Sequence, residues 1–279
     1  MNLFFQSFVI ASVLAIGSGL ARAATVVHEY PLRGTLDDNK GGGQLSSMGG
    51  QITALGYVFA ANQGLTLKSL ALSAGSYSFE FSFRFDHTSG YRKIADFHGR
   101  ADDSGFYQLN GNLNFYPVVS AATADFSDGI DVHVVLARDG TTNVLTGYVN
   151  GQQRISFIDS SPYATITAAD NTLTLFADDF STGQGEASGG TVHYLRFFNG
   201  ALTANEVSML FAAGPPTVVP EPSTVVLFAL GGIILLATMR ASRVLPVSSG
   251  FPGKQSAKPI AADRPTSVSE TARWFEPAG

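Results

Sequence analysis

From Tyr77 to Asp86 the chain reads Tyr-Ser-Phe-Glu-Phe-Ser-Phe-Arg-Phe-Asp, an aromatic residue at every second position and a polar one between. Alternate side chains of a strand project to opposite faces, so this pattern predicts a strand with all its rings on one side of a half-buried antiparallel sheet. Three turn signals follow. Asn110-Gly111 separates Phe106–Leu109 from Leu113–Tyr116, Asp139-Gly140 follows Val132–Ala137, and Asn150-Gly151 separates Thr146–Val149 from Ile155–Phe157. Each predicts a tight hairpin turn with positive φ. Further strands are expected at Val26–Tyr30, Gln51–Phe59, Leu65–Lys68, Tyr91–His98, Thr172–Phe176 and Thr191–Phe198. About a dozen short strands with little room for helices predict an all-β, two-sheet sandwich. One helix is expected last: Thr203 and Glu206 form a capping box ahead of Val207, Leu210 and Phe211, and Gly214 stops it.

The two ends follow another pattern. Leu3 to Leu20 is mostly apolar and closes on Ala21-Arg22-Ala23, a small-x-small signature that predicts removal of residues 1–23 by signal peptidase, between Ala23 and Ala24. Near the other end, a linker at 215–219 leads to Pro220-Glu221-Pro222, then an apolar run from Val225 to Met239, then Arg240 and Arg243. The prolines fix φ and keep the tripeptide extended. A fifteen-residue helix would be about 22 Å long against a hydrocarbon core of about 30 Å, enough for transit and short for a permanent anchor. The tail, 244–279, is rich in Pro, Ser and Ala and predicts disorder.

Charge assigns sides. Between Ala24 and Gly214 there are 10 Lys and Arg against 18 Asp and Glu, a net of −8, which argues against a nucleic-acid partner. From Arg240 onward the net is +3, and basic residues beside an apolar helix stay cytoplasmic, which puts residues 24–214 outside. The chain has no cysteine, so an exported domain of this kind must be held by its hydrophobic core alone.

The order of Pro-Glu-Pro, apolar helix and basic stop resembles the PEP-CTERM sorting domain. The resemblance implies recognition by an exosortase-type processing enzyme and delivery to the surface or exopolysaccharide matrix of a Gram-negative bacterium. The chain departs from that pattern in its long tail. If the tail blocks recognition, the protein stays anchored in the inner membrane.

Residues 24–214 also resemble the LamG-like, concanavalin A-like superfamily. The resemblance is carried by Tyr30–Asp38, by Val132–Gly140 with Gly147–Gly151, and by Gly190–Thr203 with Glu206. It implies a jelly-roll sandwich that often carries calcium and often binds glycans or proteins at a loop edge. Candidate Ca²⁺ ligands are Asp178, Asp179 and Glu186, joined by Asp37 or Asp38 if the N-terminal loop closes on them, since hard carboxylate oxygens suit that ion. The competing reading is a solvated acidic loop. Asp96, His98, Asp102 and Asp103 form a second cluster, of mixed ligand types, for which a solvated strand-end loop is the favoured reading, and His28, His87, His133 and His193 read as structural.

Glucanases of this fold place catalytic carboxylates as Glu-x-Asp-x-Glu, and that pattern is absent, as are the Gly-x-Ser-x-Gly and His-Glu-x-x-His motifs. The expectation is a non-catalytic module that binds extracellular polysaccharide or surface proteins. Tyr91, Tyr107, Tyr116 and Tyr163 are its candidate sugar platforms, the single tryptophan, Trp274, lying in the tail. A matrix scaffold without a glycan site and a hydrolase on the same fold are the alternatives.

Overall fold

A computed structural model describes residues 24–68, 70, 75–166 and 172–215. The chain divides into a unit ending at Val219 and another from Pro220 to Gly279, and every described residue belongs to the first. The expected signal segment 1–23, the expected processing residues Ala23, Pro220, Glu221 and Pro222, the apolar run 225–239, the expected stop residues Arg240 and Arg243 and the tail therefore lie outside the described residues. Among the described residues no helix is long and apolar enough to cross a membrane.

Among the described residues fifteen strands, numbered in chain order, form two antiparallel sheets. The first runs β13 (Gln152–Ile158), β12 (Val144–Val149), β11 (Val132–Asp139), β6 (Tyr77–Phe85), β15 (Gly190–Asn199), β4 (Gly56–Phe59), β3 (Gln51–Thr53), with β1 (Thr25–Tyr30) beside the C-terminal half of β15. The second runs β10 (Val119–Ala124), β9 (Asn112–Tyr116), β8 (Gly105–Leu109), β7 (Tyr91–Asp96), β14 (Leu173–Leu175), β5 (Leu65–Lys68), β2 (Gln44–Ser47). The alternation in β6 does what it predicts. Phe79, Phe81, Phe83 and Phe85 enter the core between the sheets, where they meet Phe97, Phe106, Phe115, Phe176 and Phe197.

Both Asn-Gly turns have the predicted backbone, with φ of 49° and 89° at Asn110-Gly111 and 49° and 78° at Asn150-Gly151. The Asp139-Gly140 turn does not. The left-handed residue there is Asn143, at φ 57°, while Asp139 caps the turn by accepting from Thr141 N and Thr142 Oγ1, each at 2.8 Å. Gly140 is required for close approach instead, because a Cβ would lie 2.5 Å from the Gly75 carbonyl carbon. The run Gln51–Phe59 is two strands rather than one, folded back at Ala54-Leu55 so that Gln51 pairs with Val58.

The outer face of the first sheet is drier than its polar pattern suggests. Helix α1 (Ala204–Ala213), with the predicted capping box, buries Val207 against Val135, Ala137, Tyr148, Phe198 and Leu202. On this face Glu80 is wholly buried, accepting from His133 Nε2 (2.9 Å), Arg196 Nη2 (2.7 Å) and Tyr194 Oη (3.2 Å). Burial alone would raise the Glu80 carboxyl, but the bonds from His133 and Arg196 outweigh it and hold the group below its ordinary range. A carboxylate with a depressed folded pKa stabilises fully above its unfolded value, and that stability is lost as pH falls through the folded value. Glu80→Gln is expected to cost about 2 kcal/mol at neutral pH, and the difference from wild type should shrink in acid. Urea unfolding at several pH values measures it; a difference independent of pH would show that the charge contributes nothing.

Candidate functional site

The strands of the second sheet turn one face to the core and the other outward. On the outward face β7 contributes Tyr91 and Lys93, β8 Tyr107, and β9 Asn114 and Tyr116. A register shift between Lys93 and Ala95 lets β7 send Lys93 outward while Ile94 and Ala95 both stay in the core. Opposite the shift, Gly105 (φ 149°) is needed because a Cβ would come within 2.8 Å of Ala95 O.

A loop from the end of β14 folds over this face. Phe176 starts it in the left-handed region, φ 56°, a costly conformation for a bulky residue. Its ring is held in the core by Phe59, Phe81, Phe83 and Phe85 at centroid distances of 5.3, 6.1, 4.9 and 6.0 Å, which offsets that cost. The chain can lie this close because residue 64 is glycine; a Cβ there would sit 1.9 Å from Leu175 O. Asn62 then pins the loop, accepting from Asp178 N (2.9 Å) and donating to Gln184 O (3.0 Å).

The loop thereby delivers Asp178 and Asp179 to Lys93. All three side chains are fully buried. Lys93 Nζ lies 2.6 Å from Asp179 Oδ2, 3.3 Å from Asp96 Oδ2 and 3.9 Å from Asp178 Oδ1, and sits 4.8 Å from the centre of the Tyr107 ring. Asp179 Oδ1 also accepts from Ser181 N and Thr182 N, at 2.8 and 3.0 Å. Asp178 Oδ2 accepts from Thr182 Oγ1 (3.0 Å) and Glu186 N (2.8 Å). These aspartates thus form neither a solvated loop nor, as a pair, an open set of metal ligands, because an ammonium occupies the position between them.

Asp103 and Glu186 form the accessible rim. Tyr107 Oη donates to Asp103 Oδ1 (3.2 Å) and Asp179 Oδ2 (3.3 Å). Burial would raise the Asp179 carboxyl, but Lys93 and the loop amides hold it below the ordinary range. For Glu186 the balance goes the other way: desolvation, and then the charges of Asp103, Asp178 and Asp179, outweigh Lys93 and push it up to about 7. Asp103 is raised too, by burial first and by Asp179, although Tyr107 and Lys93 oppose this. Asp103, Asp179 and Glu186 bring carboxylate oxygens within 4.8 Å of one another, a set that could hold a metal ion.

Asp37 and Asp38 do not join that set. Asp38 is spent on its own glycine-rich loop, accepting from Glu29 N and Lys40 N (both 2.9 Å) and Gly43 N (3.1 Å), with His28 Nδ1 2.7 Å away. Asp37 accepts from Thr35 Oγ1. The expected solvated cluster of Asp96, His98, Asp102 and Asp103 is divided instead: Asp96 is buried beside Lys93, Asp103 faces Tyr107, and Asp102 pairs with His98 at 2.8 Å. Lys93, which organises the site, stood out in the sequence as neither ligand nor catalyst, and Asp96 was grouped with His98 and Asp102 instead of with Lys93.

Three of the four candidate tyrosines come together. Tyr91 meets Tyr107 edge-on at 5.6 Å and Tyr116 at 5.7 Å. Tyr107 is fully buried and supports the others, whereas Tyr91 and Tyr116 are half-buried with ring surface to offer. Arg92 Nη1 ties this corner to the loop through Tyr91 O (2.9 Å) and Gly185 O (3.4 Å). Tyr163 lies elsewhere, beside His98 and Asp102.

No curated protein matches the chain. Among solved structures, domain 4 of AbnA, a GH43 extracellular arabinanase from Geobacillus stearothermophilus, in complex with arabinotriose, is similar at TM-score 0.53 and 17% identity, over 67% of this chain and 98% of that one. Trypanosoma rangeli sialidase in complex with sialic acid gives 0.51 and 15%, over 67% of this chain and 32% of that one. The binding domain of botulinum neurotoxin serotype D gives 0.49 and 11%, over 67% and 51%. This chain therefore spans nearly all of the arabinanase domain, about half of the toxin domain and about a third of the sialidase, and at these identities the likeness is one of fold. The Laminin_G_3 family model matches residues 59–208, more than half of the sequence, and the chain belongs to the concanavalin A-like lectin/glucanases superfamily.

Proposed function

We propose that the protein is an exported, non-catalytic glycan-binding module whose site is the outer face of the second sheet, around Tyr91 and Tyr116. The observation that carries this reading is the joining of two half-exposed tyrosine rings to a rim of accessible carboxyl groups, Asp103 and Glu186. Rings supply an apolar platform for a sugar face, and carboxylates accept from its hydroxyls. Calcium is the ion proposed for Asp103, Asp179 and Glu186, where it would neutralise the rim and offer coordination positions to hydroxyls. The sequence carries no Glu-x-Asp-x-Glu run of the kind that glucanases of this fold use, and the non-catalytic reading rests on that.

The export route rests on the sequence. In this reading signal peptidase removes residues 1–23, an exosortase-type enzyme processes the chain near Pro220-Glu221-Pro222, and the domain reaches the cell surface or exopolysaccharide matrix of a Gram-negative bacterium, the apolar helix serving as a transit anchor. The partners are extracellular polysaccharide or surface proteins. A scaffold without a glycan site is the rival, and substitution separates the two. Tyr91→Ala and Tyr116→Ala are each expected to weaken binding of the native polysaccharide about tenfold or more while the melting temperature stays near wild type. Unchanged affinity in both variants would remove this face from the account.

A further inference from the structure

A cleft of about 440 Å³ opens between the loop joining β7 to β8 and the segment after β13, lined by His98, Ala101, Asp102, Ser161, Pro162 and Tyr163. It is shallow and open to solvent, so a ligand would lie across it and not be enclosed. Each wall is folded about a buried carboxylate. Asp96 Oδ1 accepts from His98 N (3.1 Å) and Arg100 N (2.7 Å), which shapes one wall. On the other, Asp159, 3% exposed, accepts from Tyr163 N (2.9 Å) and Ala164 N (3.2 Å) and pairs with Arg138 Nε at 3.2 Å. Tyr77 Oη adds a bond to Ala164 O. Neither wall must be ordered by a ligand, which lowers the cost of binding.

The chemistry of the lining is mixed in a particular way. Tyr163 and Pro162 offer flat apolar surface. Asp102 is fixed by three donors, with Ser104 N at 2.9 Å and Ser104 Oγ at 2.5 Å on Oδ1 and His98 Nδ1 at 2.8 Å from Oδ2. Its side chain is nevertheless 53% exposed, so it keeps acceptor capacity for a ligand's hydroxyls. A purely apolar ligand would leave Asp102 and Ser161 unused, and an anion would be repelled by Asp102. A ring with one apolar face and hydroxyls on its edge satisfies both sets of groups.

We propose that this cleft is a second sugar subsite, taking a neutral pyranose or furanose ring over Tyr163 and Pro162 with its hydroxyls on Asp102 and Ser161. The proposal rests on the glycan-binding reading and extends it from a single face to a polymer track. Asp102 and Asp103 are consecutive, and while Asp102 serves this cleft, Asp103 bonds Tyr107 at the first site. One loop therefore borders both sites, and a long chain can engage the two together, gaining affinity that a short one lacks.

Calorimetric titration of the purified full-length protein with neutral disaccharides and octasaccharides of the gluco, galacto and arabino series tests this. For a series that wild type binds, Tyr163→Leu and Asp102→Asn are each expected to weaken the octasaccharide about tenfold while leaving the disaccharide unchanged, and Tyr116→Ala to weaken both. Wild-type octasaccharide affinity in folded Tyr163→Leu and Asp102→Asn, with loss in Tyr116→Ala, would overturn the second subsite and keep the first. Binding of no series by wild type would overturn the glycan reading and this subsite with it. Should Tyr163→Leu fail to fold, Asp102→Asn, which alters a half-exposed group, decides the matter.

Discussion

Replacing Lys93 with methionine is expected to cost about 3–5 kcal/mol, because it leaves Asp96, Asp178 and Asp179 buried with no cation between them. Methionine keeps the length and apolar volume of the stem, so the loss reports the ammonium and not a cavity. For a domain of this size such a cost lowers the melting temperature by roughly 10 °C. The deficit should narrow in mild acid, since carboxylates stripped of their counter-charge take up protons more readily and become neutral. Thermal unfolding of wild type and Lys93→Met at neutral and acid pH measures both effects. Equal melting temperatures at neutral pH would mean that the loop carrying Asp178 to Glu186 is held by its own backbone bonds, with Lys93 a bystander.

Phe79→Ala should be comparably severe for a different reason. Its ring meets Tyr77 at 4.5 Å, Phe197 at 5.0 Å, Phe97 at 6.1 Å and Phe81 at 6.3 Å, joining β6, β15 and the loop after β7 across the sandwich. Truncation removes the transfer energy of the ring and leaves a cavity that four fixed neighbours cannot fill, a loss of about 3–5 kcal/mol. Met209, 63% exposed on α1, provides the control, and its alanine variant should change stability by less than about 0.5 kcal/mol. Denaturant unfolding of both variants gives the comparison. A Phe79→Ala loss as small as that of Met209→Ala would contradict a core built on the aromatic face of β6.

Much of this fold was legible because its signals are local. The ten-residue alternation of β6, the two Asn-Gly turns and the Thr203–Glu206 box each depend on residues adjacent in the chain, and each forms as read. β2 and β10 gave no such signal, as Gln-Leu-Ser-Ser and Val-Ser-Ala-Ala-Thr-Ala carry little apolar alternation and form on the margins of the second sheet. Glu80 was rightly placed on the polar side of its strand, but that side is covered by a helix and by residues more than a hundred positions away.

The site was half legible. Tyrosines on neighbouring strands fall together once the hairpin register is known, which is why Tyr91, Tyr107 and Tyr116 converge. The carboxylates were misgrouped because their organiser is a lysine in an ordinary Tyr-Arg-Lys-Ile run, and it reaches Asp179 across 86 positions. Burying four polar groups together is a property of the assembled sheet and loop, and no spacing rule reports it. Asp37 and Asp38 showed the opposite limit, since an Asp-Asp pair reads as ligand material until its own loop is seen to consume the second carboxylate.

The measurement closest to the central claim is a binding titration of the purified protein against the extracellular polysaccharide of its own host, with calcium and then with a chelator. The account predicts saturable binding that weakens on chelation and weakens about tenfold or more in Tyr116→Ala. No binding in either condition, from a protein that melts cooperatively, would contradict it and leave the matrix scaffold as the reading of this domain.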